Sequence, residues 1–423
     1  MRYPVTILLA LMASRLLGAD WPEFRAGPAR DAIWNEPALP AALPAGGPKV
    51  IWKHTVGTGF SGPSVARGRV YLLDRLQPPL AAEDTERVLC LDAATGKELW
   101  IRAYPCALKF KGGYENGPRA TPTVHEGKVY ALGSMGHLHC LDAQSGRVNW
   151  QRNLLTEYEA RIPDWGMASS PLIEAQMLVL QAAGRSNATV VAFNKATGEE
   201  LWRSLSDKAG YASLIAIDSA GQRQLIVWTA DAVCALDPRT GAVFWRHPRA
   251  LRWDQAIAPP LFHRGLNRLF ISSDREGTLA LQLDRARPGY KVAWDNFSLS
   301  SLHSLPVLVG DCLYGVNHNG AFKPQCGEFR CVEAATGKIL WAATNLTRLG
   351  MWAQASVTFN QGNSTFYLLN ELGELVLAKA TPGAYRELGR AQLIGKTWSH
   401  PAYADRRIYA RSDTALLCAR LDE

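Results

Sequence analysis

Leu91-Asp92-Ala93-Ala94-Thr95-Gly96-Lys97-Glu98-Leu99-Trp100 is the stretch from which the fold can be read. A strand runs into Leu-Asp, a Thr-Gly turn follows, and a second strand carries a tryptophan. The pattern returns at Leu141-Asp142…Ser145-Gly146…Trp150, Phe193-Asn194…Thr197-Gly198…Trp202, Leu236-Asp237…Thr240-Gly241…Trp245 and Val332-Glu333…Thr336-Gly337…Trp341. Degenerate copies stand at Leu283-Asp284…Gly289…Trp294 and Lys379…Gly383…Leu388, where Leu388 takes the place of the tryptophan. Trp52 precedes the series by one period, and from Trp52 through Trp100, Trp150, Trp202, Trp245, Trp294 and Trp341 the spacing is 43 to 52 residues. A period of this size marks a propeller or a solenoid.

Within a period every segment reads as strand. A Ser/Thr-Pro opening such as Ser61-Gly62-Pro63 or Thr121-Pro122 leads to a β-rich pair such as Val70-Tyr71 or Ile408-Tyr409, and then to the Leu-Asp strand and the Trp strand. Four short strands joined by tight turns make one antiparallel blade. The turn aspartate accepts local N–H bonds, and its glycine adopts positive φ without steric cost. A lone blade cannot bury both faces, so the series has to close into a ring.

Seven turn motifs and a final unit, Trp398 to Asp422, give eight units; seven blades would follow if one degenerate copy were an insertion. The last unit lacks a Trp strand, which Lys49–Val56 is expected to supply. The expected fold is therefore all-β: an eight-bladed β-propeller of four-stranded antiparallel blades, closed by pairing of N- and C-terminal strands. It spans residues 49–423 as a single domain, after a 20–48 extension.

Residues 1–19 read as a signal peptide: Arg2, an apolar run from Val5 to Ala13, and Leu17-Gly18-Ala19 before Asp20. The run is too short to span a bilayer, and Asp20 stands where a lipid-attachment cysteine would. A periplasmic or secreted protein without a transmembrane anchor is expected. The net charge of +8 is dispersed along the chain, which argues against nucleic acid and allows weak attraction to anionic envelope surfaces or glycans.

Of the eight cysteines, Cys90, Cys140 and Cys331 share one repeat position and read as small core residues rather than bridge partners. Cys312 and Cys326 flank one hairpin and could pair. No adjacent Cys-Cys or Cys-x-x-Cys-His occurs. Gly57-Thr58-Gly59-Phe60-Ser61-Gly62 matches a dinucleotide fingerprint but is followed by Pro63 and a strand in repeat phase, not by the helix the fingerprint needs. His137-Leu138-His139 puts two imidazoles on one strand face, with no third metal ligand nearby in sequence; an ordinary strand surface accounts for it, and no metal site is assigned.

The loops entering each innermost strand carry more information. They hold Tyr114 to Arg119, Asp164-Trp165-Gly166, Tyr211, Trp253-Asp254-Gln255, His303, Met351-Trp352-Ala353-Gln354 and Lys396-Thr397-Trp398-Ser399-His400. Trp165, Trp253, Trp352 and Trp398 are out of phase with the repeat tryptophans. Loops on a rigid scaffold are where binding usually resides. Arg119, Trp165, Tyr211, Trp253, His303, Trp352, Gln354, Trp398 and His400 are thus the candidate ligand-binding residues around one funnel; plugging of the funnel by these rings is the competing reading.

The repeat Ser-x-Pro…Gly-x-Val-Tyr…Leu-Asp-Ala-x-Thr-Gly-x-x-x-Trp resembles that of the PQQ-like, quinoprotein-type eight-bladed propellers. Asp20-Trp21-Pro22-Glu23-Phe24-Arg25-Ala26-Gly27-Pro28-Ala29-Arg30-Asp31 is similar to the opening of exported bacterial members, with Ala26 inserted. Asn116–Thr123, Ile162–Gly166, Lys208–Tyr211 and Thr381–Leu388 resemble the same group. That superfamily holds PQQ-dependent alcohol and sugar dehydrogenases and the cofactor-free scaffold of outer-membrane barrel assembly. The resemblance implies that a quinoprotein would need Ca²⁺ on carboxylate and amide oxygens, a stacking tryptophan and an Asp base, for which Asp164, Asp254 or Asp295 would be candidates; methanol-type members add a Cys-Cys bridge that is lacking here. The leading expectation is a monomeric, non-catalytic scaffold that needs no cofactor and binds an envelope protein, small molecule or glycan across its loop face. The alternative is a PQQ- and Ca²⁺-dependent alcohol or sugar dehydrogenase.

Overall fold

The computed structural model describes residues 20–78, 80–107, 117–318, 327–347 and 353–423. Among the described residues eight sheets follow one another along the chain, seven antiparallel with four strands and one of five strands with a single parallel pairing. Blade 1 opens on Ser64–Ala66, blade 2 on Thr123–His125, blade 3 on Leu172–Glu174, blade 4 on Ile215–Ser219, blade 5 on Leu261–His263, blade 6 on Val307–Val309, blade 7 on Ala355–Asn360 and blade 8 on Ala402–Ala404. Helix is limited, among the described residues, to Leu154–Glu157 and a 3₁₀ turn at Arg252–Asp254. No helix of the described residues is long and apolar enough to cross a membrane.

The ring closes as the repeat phase predicts. Lys49–Thr55 pairs antiparallel with Ala415–Arg420 and becomes the outer strand of blade 8, with Trp52 opposite Cys418. The buried Arg411 locks this seam to blade 1, donating to the carbonyls of Leu73 at 2.7 Å, Gly57 at 2.8 Å and Ser61 at 3.3 Å.

Successive blades are joined by a repeated contact. Five outer-strand tryptophans, Trp52, Trp100, Trp150, Trp202 and Trp294, lie on the turn glycine of the following blade, where a Cβ would meet the indole: 2.6 Å for Gly96 against Trp52, 2.7 Å for Gly146 against Trp100, and 2.5 Å for Gly241 against Trp202. These glycines hold φ of +70°, +71° and +72°, so both backbone and neighbour exclude a side chain. The indole N–H then donates to a carbonyl of the same turn, as Trp52 does to Ala93 (3.0 Å), Trp150 to Lys195 (3.1 Å) and Trp294 to Ala334 (3.1 Å). The Tyr71, Tyr130 and Tyr409 hydroxyls donate to carbonyls in these turns too. Cys90, Cys140, Cys331 and Cys418 face a tryptophan across the strand pair, and all four are buried and free. They act as small residues under a large ring. Cys312 is buried; its suggested partner Cys326 lies outside the described residues.

Three junctions depart from the pattern, and at one of them Trp341 still donates to Thr381 O at 2.8 Å although its ring does not meet Gly383. The turn of blade 5 is degenerate, and Trp245 instead donates to Gln224 Oε1 of its own blade while packing on Tyr290 at 4.9 Å. In blade 7 the expected equivalence of Leu388 is off by one. Gly389, not Leu388, takes the tryptophan position, facing Leu377, because the strand bulge falls at Leu388 itself. Leu43 of the N-terminal segment lies over Gly389.

That segment lies along the ring axis. Trp21 bridges Val65 of blade 1, and Pro22 accepts from the Val124 N–H of blade 2. Arg30, fully buried, donates to the carbonyls of Ser170 and Pro171 in blade 3 and pairs with Glu23 at 3.4 Å. Arg25 donates to Pro306 O ahead of blade 6. Ile33–Trp34 adds a parallel fifth strand to blade 7, and Trp34 stacks on Tyr403 of blade 8 at 4.7 Å. Residues 20–34 thus fill the centre that eight inner strands enclose.

Trp202 is buried and Trp253 is 60% exposed. Trp202→Ala should cost about 3–5 kcal/mol, whereas Trp253→Ala should stay within ~0.5 kcal/mol, as surface changes do. Denaturant titration of both variants checks this, and equal losses would contradict the assignment of repeat phase.

Candidate functional site

In an antiparallel blade, the loop into the innermost strand and the turn between the second and third strands lie at the same end. Around the ring these segments enclose a cavity of ≈ 410 Å³. Seven sequence-selected residues line it: Arg119, Trp165, Tyr211, Trp253, His303, Trp398 and His400. Gln354 is buried behind this wall, beside a recess shared with His303, Trp398 and His400. Trp352 lies outside the described residues.

The wall is a set of stacked rings. Trp398 stacks with both Phe60 and His303, each at 5.8 Å, with interplanar angles of 18° and 13°. The Arg119 guanidinium sits over Phe60 at 4.9 Å, and Trp165 packs on Tyr211 at 6.0 Å. Phe24 of the axial segment joins from within the ring, edge-on to His400 at 5.5 Å. Trp253 stands at the lip with a left-handed backbone (φ 65°), followed by Asp254 at φ 56°. A bulky residue in that region carries strain that its surroundings must hold.

The charges are few. Burial lowers Arg119 to about 10, with Tyr211 and Glu86 opposing the shift, so it remains cationic at neutral pH. Burial, then His318 and Arg119, brings His303 down to about 4; burial, then Arg25 and His303, brings His400 down to about 3. Both rings are neutral at pH 7. Asp274, the one carboxylate among the described lining residues, is held by His318 Nδ1 at 2.5 Å and by Arg275 at 3.4 Å.

Asp274, Arg275 and His318 carry no sequence signal for the cavity, because they come from second-to-third-strand segments rather than from the loops into innermost strands. Phe60 lies in the Gly57–Gly62 motif, which leads into strand Ser64–Ala66 rather than a helix. Phe24 carried no sequence signal for a place inside the ring. The suggested bases do not line the cavity: Asp254 pairs with Lys208 at 3.5 Å, Asp295 pairs with Arg249 at 2.8 Å on the outer strand of blade 5, and Asp164 lies outside the lining.

These residues provide a poor calcium cage. Ca²⁺ takes ~6–8 oxygen ligands, several of them carboxylates. Here a single carboxylate is already engaged by a histidine and an arginine, and Arg119 adds positive charge. The stacked rings do suit a planar group.

The family described as "Outer membrane protein assembly factor BamB" matches residues 84–343, and the chain belongs to it. The chain is 23% identical over 306 residues to the outer membrane protein assembly factor BamB of Shewanella oneidensis, covering 70% of this chain and 60% of that protein. It is 29% identical over 154 residues to the quinoprotein alcohol dehydrogenase PedH of Pseudomonas putida, covering 34% of this chain and 25% of the dehydrogenase. The matches thus span less than two thirds of these relatives' length. The fold is shared with the quinohemoprotein alcohol dehydrogenase of Comamonas testosteroni: TM-score 0.69 at 14% identity, over 96% of this chain and 81% of that one.

Histidines held neutral by burial make stability depend on pH. His139, buried and lowered to about 4 mainly by desolvation, behaves like His303 and His400. Below the ordinary histidine value the unfolded chain takes up protons that the folded protein refuses. Stability should therefore fall as pH drops from ~6.5 towards 4, by up to ~1.4 kcal/mol per pH unit for each histidine. Guanidinium midpoints measured across this range should slide downward, and His400→Phe should reduce the slope; an unchanged slope would contradict neutral burial of His400.

Proposed function

We propose that this protein is a non-catalytic propeller of the cell envelope that recognises a planar, anionic aromatic group, on a small molecule or on a partner protein, through its funnel cavity. The observation that carries this reading is the Phe60–Trp398–His303 stack with Arg119 beside it. A flat group gains stacking area against the rings and a charge-assisted contact with a desolvated guanidinium. Trp253, exposed at the lip, offers a further apolar surface at the entrance. The name of the Shewanella relative supports an envelope location and a protein partner, while that of the Pseudomonas relative supports the alternative of quinone chemistry. The lining favours the first, because the cavity presents cations and rings where a calcium–quinone site would present a cluster of oxygens.

Titration with naphthalene-2,6-dicarboxylate tests this. Saturable one-to-one quenching of tryptophan fluorescence is expected, weakened roughly tenfold or more in Trp398→Ala, since an aromatic pair and its buried area together exceed ~1.4 kcal/mol. A dye-linked assay with alcohols and sugars should show no turnover when PQQ and Ca²⁺ are supplied. Absence of saturable quenching, or turnover in the dye assay, would overturn the proposal.

A further inference from the structure

The His137-Leu138-His139 motif lacks a third ligand in sequence, but the fold supplies one set of partners from the preceding blade. Glu86 lies at the start of the third strand of blade 1, Cys106 follows the outer strand of that blade, and His137 opens the third strand of blade 2. Antiparallel pairing brings these three positions to one end of adjacent blades. One carboxylate oxygen, the thiol sulfur and one imidazole nitrogen all lie within 4.8 Å of one another. Ligand atoms in a tetrahedral zinc site stand roughly 3.3–3.8 Å apart, as follows from metal–ligand bonds of ~2.0–2.3 Å. Small side-chain rotations close the difference.

Three further observations point to a cation. The Glu86 carboxylate is fully buried and accepts from Tyr104 Oη at 2.9 Å, Ser134 N at 3.1 Å and Ser134 Oγ. Among the described residues no Lys, Arg or His nitrogen forms an ion pair with it, and Arg119 of the funnel wall feels its charge without pairing to it. His137 Nδ1 is sealed from solvent and has no hydrogen-bond partner among the described residues. Gly133 leaves the space that the carboxylate occupies: a Cβ there would lie 2.3 Å from Glu86 Oε2 and 2.5 Å from the Tyr104 hydroxyl. Tyr104 packs against both imidazoles, 5.1 Å from His137 and 4.6 Å from His139, and holds the motif against blade 1.

We infer that Glu86, Cys106 and His137 form a binding site for one divalent transition-metal ion of the zinc class, joining blade 1 to blade 2. Thiolate and imidazole donors select such an ion over calcium or magnesium. The ion binds as the Cys106 thiol gives up its proton to solvent, so binding releases a proton and tightens as pH rises. Three protein donors leave a fourth position for water or an exogenous ligand. None of its three donors lines the funnel cavity, and the inference does not rest on the function proposed for that cavity.

Co²⁺ titration of the full chain, stripped with chelator, is the test. One equivalent should bind, with thiolate-to-cobalt charge transfer in the near ultraviolet and the visible bands of tetrahedral cobalt, and Zn²⁺ should displace it. Cys106→Ser should abolish the charge-transfer band, Cys90→Ser should keep it, and His137→Gln should weaken binding about tenfold or more. Failure of the wild-type protein to bind a stoichiometric Co²⁺, an octahedral spectrum without thiolate charge transfer, or a band that survives Cys106→Ser would each overturn the assignment. The wild-type spectrum alone decides the matter if a variant fails to fold.

Discussion

The contact between an outer-strand tryptophan and the turn glycine of the next blade holds the ring together. An indole buries ~200 Å², worth roughly 5 kcal/mol gross at about 25 cal/mol per Å², an upper figure. The contact is also directional, because the indole N–H must find a turn carbonyl, as in Trp202 to Pro238 at 2.8 Å. It therefore fixes how one blade sits on the next. Where it is missing the chain substitutes: Tyr290 packs on Trp245, and Leu43 covers Gly389. The second substitution draws the N-terminal segment into the structure twice, once at this seam and once along the axis.

A ring fixed in this way presents its loops as a rigid rim. Every described part of the cavity wall hangs from blade ends, except Phe24, which reaches it from the axial segment that Arg25 and Arg30 anchor to blades 6 and 3. The cavity is consequently preorganised in its stacking surfaces, and its electrostatics follow from burial: histidines kept neutral, one arginine kept charged, and one aspartate already paired. Such a site suits recognition of a flat anion better than the binding of a hard divalent cation. A shared fold leaves the chemistry of the lining open, because fold and function are separable.

Much of this was legible in the sequence because it is local. The Leu-Asp…Thr-Gly…Trp periods define strands, turns and blade number, and the closing role of Lys49–Val56 follows from an unpaired last unit. The out-of-phase aromatics could be placed at the mouth because a loop into an inner strand has only one end of the ring to occupy. What stayed hidden was non-local. The bulge that moves the tryptophan position from Leu388 to Gly389 depends on the partner strand. Phe24 reaches the cavity only because its segment runs through the ring. Asp274 and His318 meet across blades 5 and 6, and Glu86 and Cys106 approach His137 across blades 1 and 2, pairings that no spacing in the chain announces.

Under the proposed function this cavity takes an aromatic anion and not a calcium-held quinone. Isothermal calorimetry of PQQ binding, in matched buffers with excess Ca²⁺ or with excess chelator, tests it most directly. PQQ is itself a planar anion, so the account predicts the same affinity in both buffers, set by rings and arginine alone. Affinity that rises steeply with Ca²⁺ and vanishes with chelator would contradict it.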